Sequence, residues 1–153
     1  MNKKQLTDFL LAARTKTYAG SGGKVKPALK GSKQLEHRKG KLLYRDIYYT
    51  GNGTFSGIET IYSGVKPVWS MAYWGDFKKM TEEEVDGVLR AALIAKWKTA
   101  RTWRSAHWKE GVYEYVCEPD FKGSIVKMAD MEKIRKNKKQ VYFLVYAGGT
   151  LVK

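Results

Sequence analysis

Acidic and aromatic side chains alternate along one stretch of the chain in a way that could build a binding site. Asp46 stands between Tyr44 and Tyr48, Glu59 is two residues before Ile61, and Trp69, Met71 and Tyr73 occupy every second position of a third run. In a β-strand, residues two apart share a face. If the three faces coincide, two carboxylates look out among large rings. An ionised carboxylate there is costly unless hydrogen-bonded or paired, so the face is either a site or a well-satisfied core network. Adding Glu36 from a predicted edge strand, the residues Glu36, Tyr44, Asp46, Glu59, Trp69, Met71 and Tyr73 make a candidate small-molecule pocket. Its rings would give apolar and cation-π area, and its carboxylates would fix a polar or cationic group. The competing reading is structural, with the acids paired to Arg45, Arg38 or a lysine and the rings packed as core.

The same acids could catalyse as an acid and base pair if their environments split their pKa values. Sequence does not give their separation, so a carboxylate-dependent enzyme stays an alternative. Other chemistries lack their signatures. Cys117 is the only cysteine, which excludes an internal disulfide and a cysteine-rich metal site. It alternates with Tyr113 and Tyr115, as a buried structural thiol would. His37 and His107 have no partners at metal-ligand spacing, and no nucleophile elbow surrounds a serine. The glycines of Tyr18-Ala19-Gly20-Ser21-Gly22-Gly23-Lys24 do not form a Walker A motif, which needs Gly at position 18 and Ser or Thr at position 25. No metal and no cofactor is expected.

The 29 lysines and arginines outnumber 15 acidic residues, a formal charge of +14, and such a field attracts polyanions at low salt. Nucleic-acid binding is therefore the second alternative. Its candidate residues are Lys98, Arg101, Trp103 and Arg104, where rings and cations interleave as on single-strand platforms. No apolar run approaches the roughly 20 residues that span a bilayer. The expected protein is soluble and cytoplasmic, without a membrane partner.

These residues need elements to place them. Leu6, Phe9, Leu10 and Ala13 form the stripe of a short amphipathic helix near Lys3 to Thr15. A basic segment from Lys24 to Lys41 follows, suited to lie over a site as a lid, to rest against phosphates, or simply to be solvated. Lys33 to Arg38 reads as an edge strand. Runs at Tyr44–Tyr48, Phe55–Tyr62 and Val68–Tyr73, broken by glycine turns, read as a three-stranded antiparallel meander. Thr81-Glu82-Glu83-Glu84 is a capping box that starts a second helix. Glu132, Tyr142, Tyr146 and Gly148 then repeat the spacing of Glu59, Trp69, Tyr73 and Gly75. The fold predicted is α+β, one domain over 1–153. It has two related halves, about 1–78 and 79–153, each a helix followed by a three-stranded antiparallel β-meander.

The chain resembles a bacterial family of unknown function whose domain often stands C-terminal to an XRE-type helix-turn-helix in transcriptional regulators. The matching elements are Tyr18-Ala19-Gly20, Gly31, Glu36, Tyr44-x-Asp46, Phe55-x-Gly57-x-Glu59, Trp69-x-Met71-x-Tyr73-x-Gly75, Phe121-x-Gly123, Glu132 and Tyr146-x-Gly148-Gly149. The resemblance implies a sensory or oligomerising role in regulation and assigns no reaction. With no room for a helix-turn-helix before Leu6, a stand-alone copy is expected. The function expected is thus a small-molecule-binding or regulatory module.

Overall fold

The computed structural model describes residues 2–120 and 122–152. Helix α1 runs Lys3–Lys16, and the strands β1 Lys33–Lys39, β2 Leu42–Gly51, β3 Thr54–Ser63 and β4 Lys66–Asp76 follow. Helix α2, Glu82–Ala95, precedes β5 Ala106–Glu110, β6 Tyr113–Cys117, β7 Lys127–Lys136 and β8 Lys139–Thr150. All eight strands join in one sheet of order β1-β2-β3-β4-β8-β7-β6-β5, and every pairing is antiparallel.

This corrects the expected fold class. Four strands follow each helix, and they form a single continuous sheet instead of two three-stranded meanders. Two features escape pattern reading. The short strand β5 contains Trp108 and lies in a segment whose basic residues suggest loop. The β4–β8 seam, where Tyr73 is paired with Tyr146 and Met71 with Gly148, is a long-range pairing that local periodicity does not encode.

Local chemistry explains the elements that form. Both helices start with capping boxes, Asn2 with Gln5 and Thr81 with Glu84, which satisfy amide groups that lack intrahelical partners. The β7–β8 hairpin turns at Asn137 and Lys138, both with positive φ, as a two-residue turn of matching twist requires. Glycine does specific work at the β3–β4 pairing. Gly57 lies opposite Tyr73 and Gly75 opposite Phe55; a Cβ on Gly57 would sit 2.5 Å from the Tyr73 hydroxyl, and one on Gly75 would sit 2.3 Å from the Phe55 ring. The rings lie across the glycines, so the β3–β4 surface carries aromatic area without Cβ crowding.

One sheet face is the core side. Asp46, Glu59, Met71 and Gly148 form one cross-strand row on it, and Tyr44, Ile61, Trp69, Tyr142 and Leu144 are buried with Leu10 of α1 and Leu89 of α2. The opposite face leaves Ile58, Trp74 and Val145 exposed. Among the described residues, no helix is long and apolar enough to cross a membrane.

Candidate functional site

A cleft of about 450 Å³ opens between the core face of the sheet, helix α2 and the segment that leads into β1. That volume lies within the roughly 300–1,000 Å³ typical of small-molecule sites. The leading segment is strapped to the sheet edge. Val25 N donates to Gln34 O at 3.2 Å, Glu36 N to Gly23 O at 2.8 Å, and Ala28 N to the Gln34 side chain at 2.9 Å. Helix α2 turns Val85, Asp86, Leu89 and Arg90 toward the cleft, positions three and four apart on one helical face.

Asp46 is the carboxylate on the cleft floor. It is 5 % exposed, and its Oδ1 accepts the Tyr73 hydroxyl at 2.7 Å. Among the described residues Oδ2 has no protein donor and is not sealed away, and Asp46 lines the cleft. Burial, and then the neighbouring charge of Glu59, push its pKa up to about 7, while the Tyr73 hydrogen bond, Arg101 and Arg14 pull the other way. Asp46 therefore changes charge near neutral pH, and its open oxygen can accept or donate a hydrogen bond.

Two buried ion pairs hold this floor. Glu59, 2 % exposed, accepts Arg14 Nε at 2.9 Å and Nη2 at 2.7 Å. Arg14 Nη1 continues to the backbone oxygen of Arg101 at 2.6 Å. Burial opposes the Arg14 charge, but Glu59 more than offsets it and the pKa is raised. Glu132, fully buried, accepts Arg101 Nε at 2.9 Å and Nη2 at 2.7 Å, with Tyr142 at 2.6 Å and Tyr115 at 2.5 Å. The two pairs are thus joined through one Arg14–Arg101 bond.

Rings form the walls. Phe55 contacts Tyr73, Phe77 and Tyr142, stacking on Tyr142 at 6.0 Å between centroids. Tyr18 lies between two guanidinium groups, Arg90 at 4.6 Å and Arg101 at 5.8 Å from its ring centre, and donates to Asp86 at 2.7 Å. Burial first, then this bond, raises the Tyr18 pKa, so the phenol stays neutral.

The residues expected from sequence divide into four groups. Asp46 and Tyr73 line the cleft. Tyr44 and Glu59 line a small adjoining hollow that also reaches Asp46, Tyr18 and Arg101. Trp69 and Met71 are interior: Trp69 Nε1 donates to Ile125 O at 3.1 Å, and the Met71 sulfur accepts Arg14 Nη2 at 3.4 Å. Glu36 lines neither space and instead accepts Arg45 Nε at 2.8 Å.

The Trp-rich basic segment splits as well. Arg101 turns inward and is 9 % exposed, with φ of 55°. Lys98 and Arg104 stay at the surface, over the rings of Trp97 and Trp103. Cys117 is buried beside Asp130 at 3.1 Å and Tyr146 at 3.3 Å; burial pushes its thiol up to about 12. Among the described residues, no group of three or more His, Cys, Asp or Glu side chains could hold a metal ion.

Sequence reading missed Arg14, Tyr18, Arg90 and Tyr142 as site residues. Arg14 had a usable signal, since it follows Leu10 by four residues and so falls on the buried stripe of α1. Arg101 did not, because its inward turn rests on a left-handed backbone conformation at a non-glycine residue.

A pH test follows from Asp46. A carboxyl whose pKa is 3.8 unfolded and about 7 folded binds more protons in the native state between those values, so its contribution to stability is full at low pH and is lost as pH rises toward 7 and beyond. Asp46→Asn keeps an acceptor for Tyr73 and removes that loss. Urea unfolding is expected to show the variant more stable than the parent at pH 8, with the gap closing near pH 4.

Comparison with known proteins places the chain in a family. Residues 46–151 match the family described as "Domain of unknown function (DUF5680)", and the chain belongs to it. The match includes Asp46, Glu59, Tyr73, Arg101 and Glu132 but begins after Arg14 and Tyr18. A 73-residue stretch, 47% of the chain, is 36% identical to the leucine–tRNA ligase of Pyrococcus abyssi. It spans only 8% of that enzyme's length. No solved structure matches the chain significantly.

Proposed function

We propose that this chain is a small-molecule-binding module whose site is the Asp46 cleft. The observation that carries the reading is Asp46 Oδ2, a hydrogen-bonding atom without a protein partner among the described residues, on the floor of a ring-walled space of about 450 Å³. Glu59 also leaves one oxygen without a protein donor but has its charge held by Arg14, and Glu132 has both oxygens satisfied; Asp46 has neither a cation bound to it nor a second donor among the described residues. Preformed clefts with a few convergent polar groups are the usual form of ligand sites. The basic residues in the cleft lining and the resemblance to domains fused to DNA readers favour a sensor that reports ligand to a partner. The relatedness of the two halves, helix and four strands each, is part of the same reading.

The test is a thermal-shift screen of metabolites against the parent protein and Asp46→Asn. A compound that raises the midpoint of the parent and has little effect on the variant supports the site. If no compound stabilises the parent, or the compounds that do act equally on Asp46→Asn, the cleft is not the binding site.

A further inference from the structure

The cleft is chemically divided, and the division says what kind of molecule fills it. Its floor pairs an acceptor with a donor. Asp46 Oδ2 is open, and Arg101, whose charge acts on Asp46, commits Nε and Nη2 to Glu132 and Tyr142 but has no partner for Nη1 among the described residues. Nη1 is not sealed off either, and Arg101 lines the cleft. The cleft lining thus offers one acceptor and one charged donor.

Its lining includes the rings of Tyr48, Phe55 and Phe77, while the Tyr18 ring already carries the Arg90 and Arg101 guanidinium groups. Planar ligands gain most from such a lining, because every heterocycle has a π-face that packs on an aromatic ring.

Its mouth is cationic. Lys24 and Lys33 line it, are exposed, and have no acidic partner among the described residues; the Lys33 ammonium lies 6.0 Å from the Tyr48 ring centre. Ser32, which is buried, also lines the cleft. Arg90 binds Asp86 and the Ser21 hydroxyl, yet its Nε is buried with no acceptor. Of the two acids nearby, Asp86 is engaged by Tyr18 and Arg90, and Glu82 sits at the exposed first turn of α2.

We propose, building on the small-molecule reading above, that the cleft takes a planar nitrogen heterocycle bearing a phosphate, of the nucleoside monophosphate class. The heterocycle edge, which carries a donor next to an acceptor, meets Asp46 Oδ2 and Arg101 Nη1. The ring packs against the aromatic lining of Tyr48, Phe55 and Phe77, and the phosphate reaches the exposed Lys24 and Lys33. No bond is made or broken. A ligand of pure positive charge would meet the two lysines at the entrance, and a bare phosphate would leave the floor and walls unused.

Calorimetric titration of the full chain with AMP, GMP, CMP and UMP, with the matching nucleosides and with inorganic phosphate, tests this at about 0.15 M salt, where loose charge attraction is screened. At least one nucleotide is expected to bind about tenfold or more tighter than its nucleoside, since hydrogen bonds to a charged group contribute about 1.5–3 kcal/mol. Inorganic phosphate should give no measurable binding. Lys24→Ala/Lys33→Ala should bring the nucleotide down to the affinity of its nucleoside, and Asp46→Asn should weaken both by the same factor. The inference is overturned if phosphate binds as well as the nucleotides, or if none of the four binds at about 1 mM. In the latter case the screen separates two failures. A different compound acting through Asp46 overturns the ligand class and leaves the site, whereas a screen with no such compound removes both.

Discussion

Glu132→Ala is expected to destabilise the fold by about 3–5 kcal/mol, the cost of leaving a buried charge without its partner. The carboxylate is fully buried and accepts four hydrogen bonds, two from Arg101 and one each from Tyr115 and Tyr142. Its loss strands a guanidinium and two phenol hydroxyls where little water can reach them. Distance is a poor guide to this effect. Lys4 and Asp8 are also 2.7 Å apart, but their side chains are 85% and 60% exposed, and an i,i+4 pair of that kind contributes only about 0.3–0.5 kcal/mol. Urea unfolding of Glu132→Ala beside Lys4→Ala makes the comparison. Losses of equal size would mean that Arg101 finds water through the cleft and that the Glu132 network is not what holds the floor.

Arg14→Met is expected to cost about as much, roughly 3–5 kcal/mol, and to make stability depend on pH. Arg14 holds Glu59 with two nitrogens and carries the link to the Arg101 backbone. Without it, Glu59 lies buried and unpaired directly across from Asp46. Two neighbouring buried carboxyls then compete to stay neutral, and a proton held by the pair relieves their repulsion. A carboxyl raised on folding stabilises at low pH and loses that contribution as pH climbs. The deficit of Arg14→Met relative to the parent should therefore be smaller at pH 5 than at pH 8. Adding Glu59→Gln should recover part of the stability at pH 8. A deficit that is the same at both pH values would mean that Glu59 has found another cation.

Strands β1 to β4 and both helices were legible because each carries its own local signal. The alternation Tyr44-x-Asp46-x-Tyr48 sets a face, and the Thr81 capping box starts α2 within a residue of its place. Asp46 could be singled out because a carboxylate between two rings has to be accounted for. Its counter-charges could not. Arg14 meets Glu59 across 45 positions, and Arg101 meets Glu132 across 31, pairings that only the folded sheet creates. Strand number failed for the same reason. Strand β5 is five residues long, and it exists because β6 offers an edge to pair with, not because its sequence demands extension. The cleft itself is a gap between α2, the sheet and the segment before β1, and gaps leave no periodicity in a sequence.

The claim on which the rest depends is that Asp46 faces a space a small molecule can enter. A ¹³C titration of the Asp46 carboxyl, alone and with the compound or nucleotide that binds, tests it most directly. The expected midpoint in the free protein is about 7, displaced when the cleft is filled. A carboxyl that titrates near its ordinary 3.8, or that titrates identically with and without ligand, would contradict it.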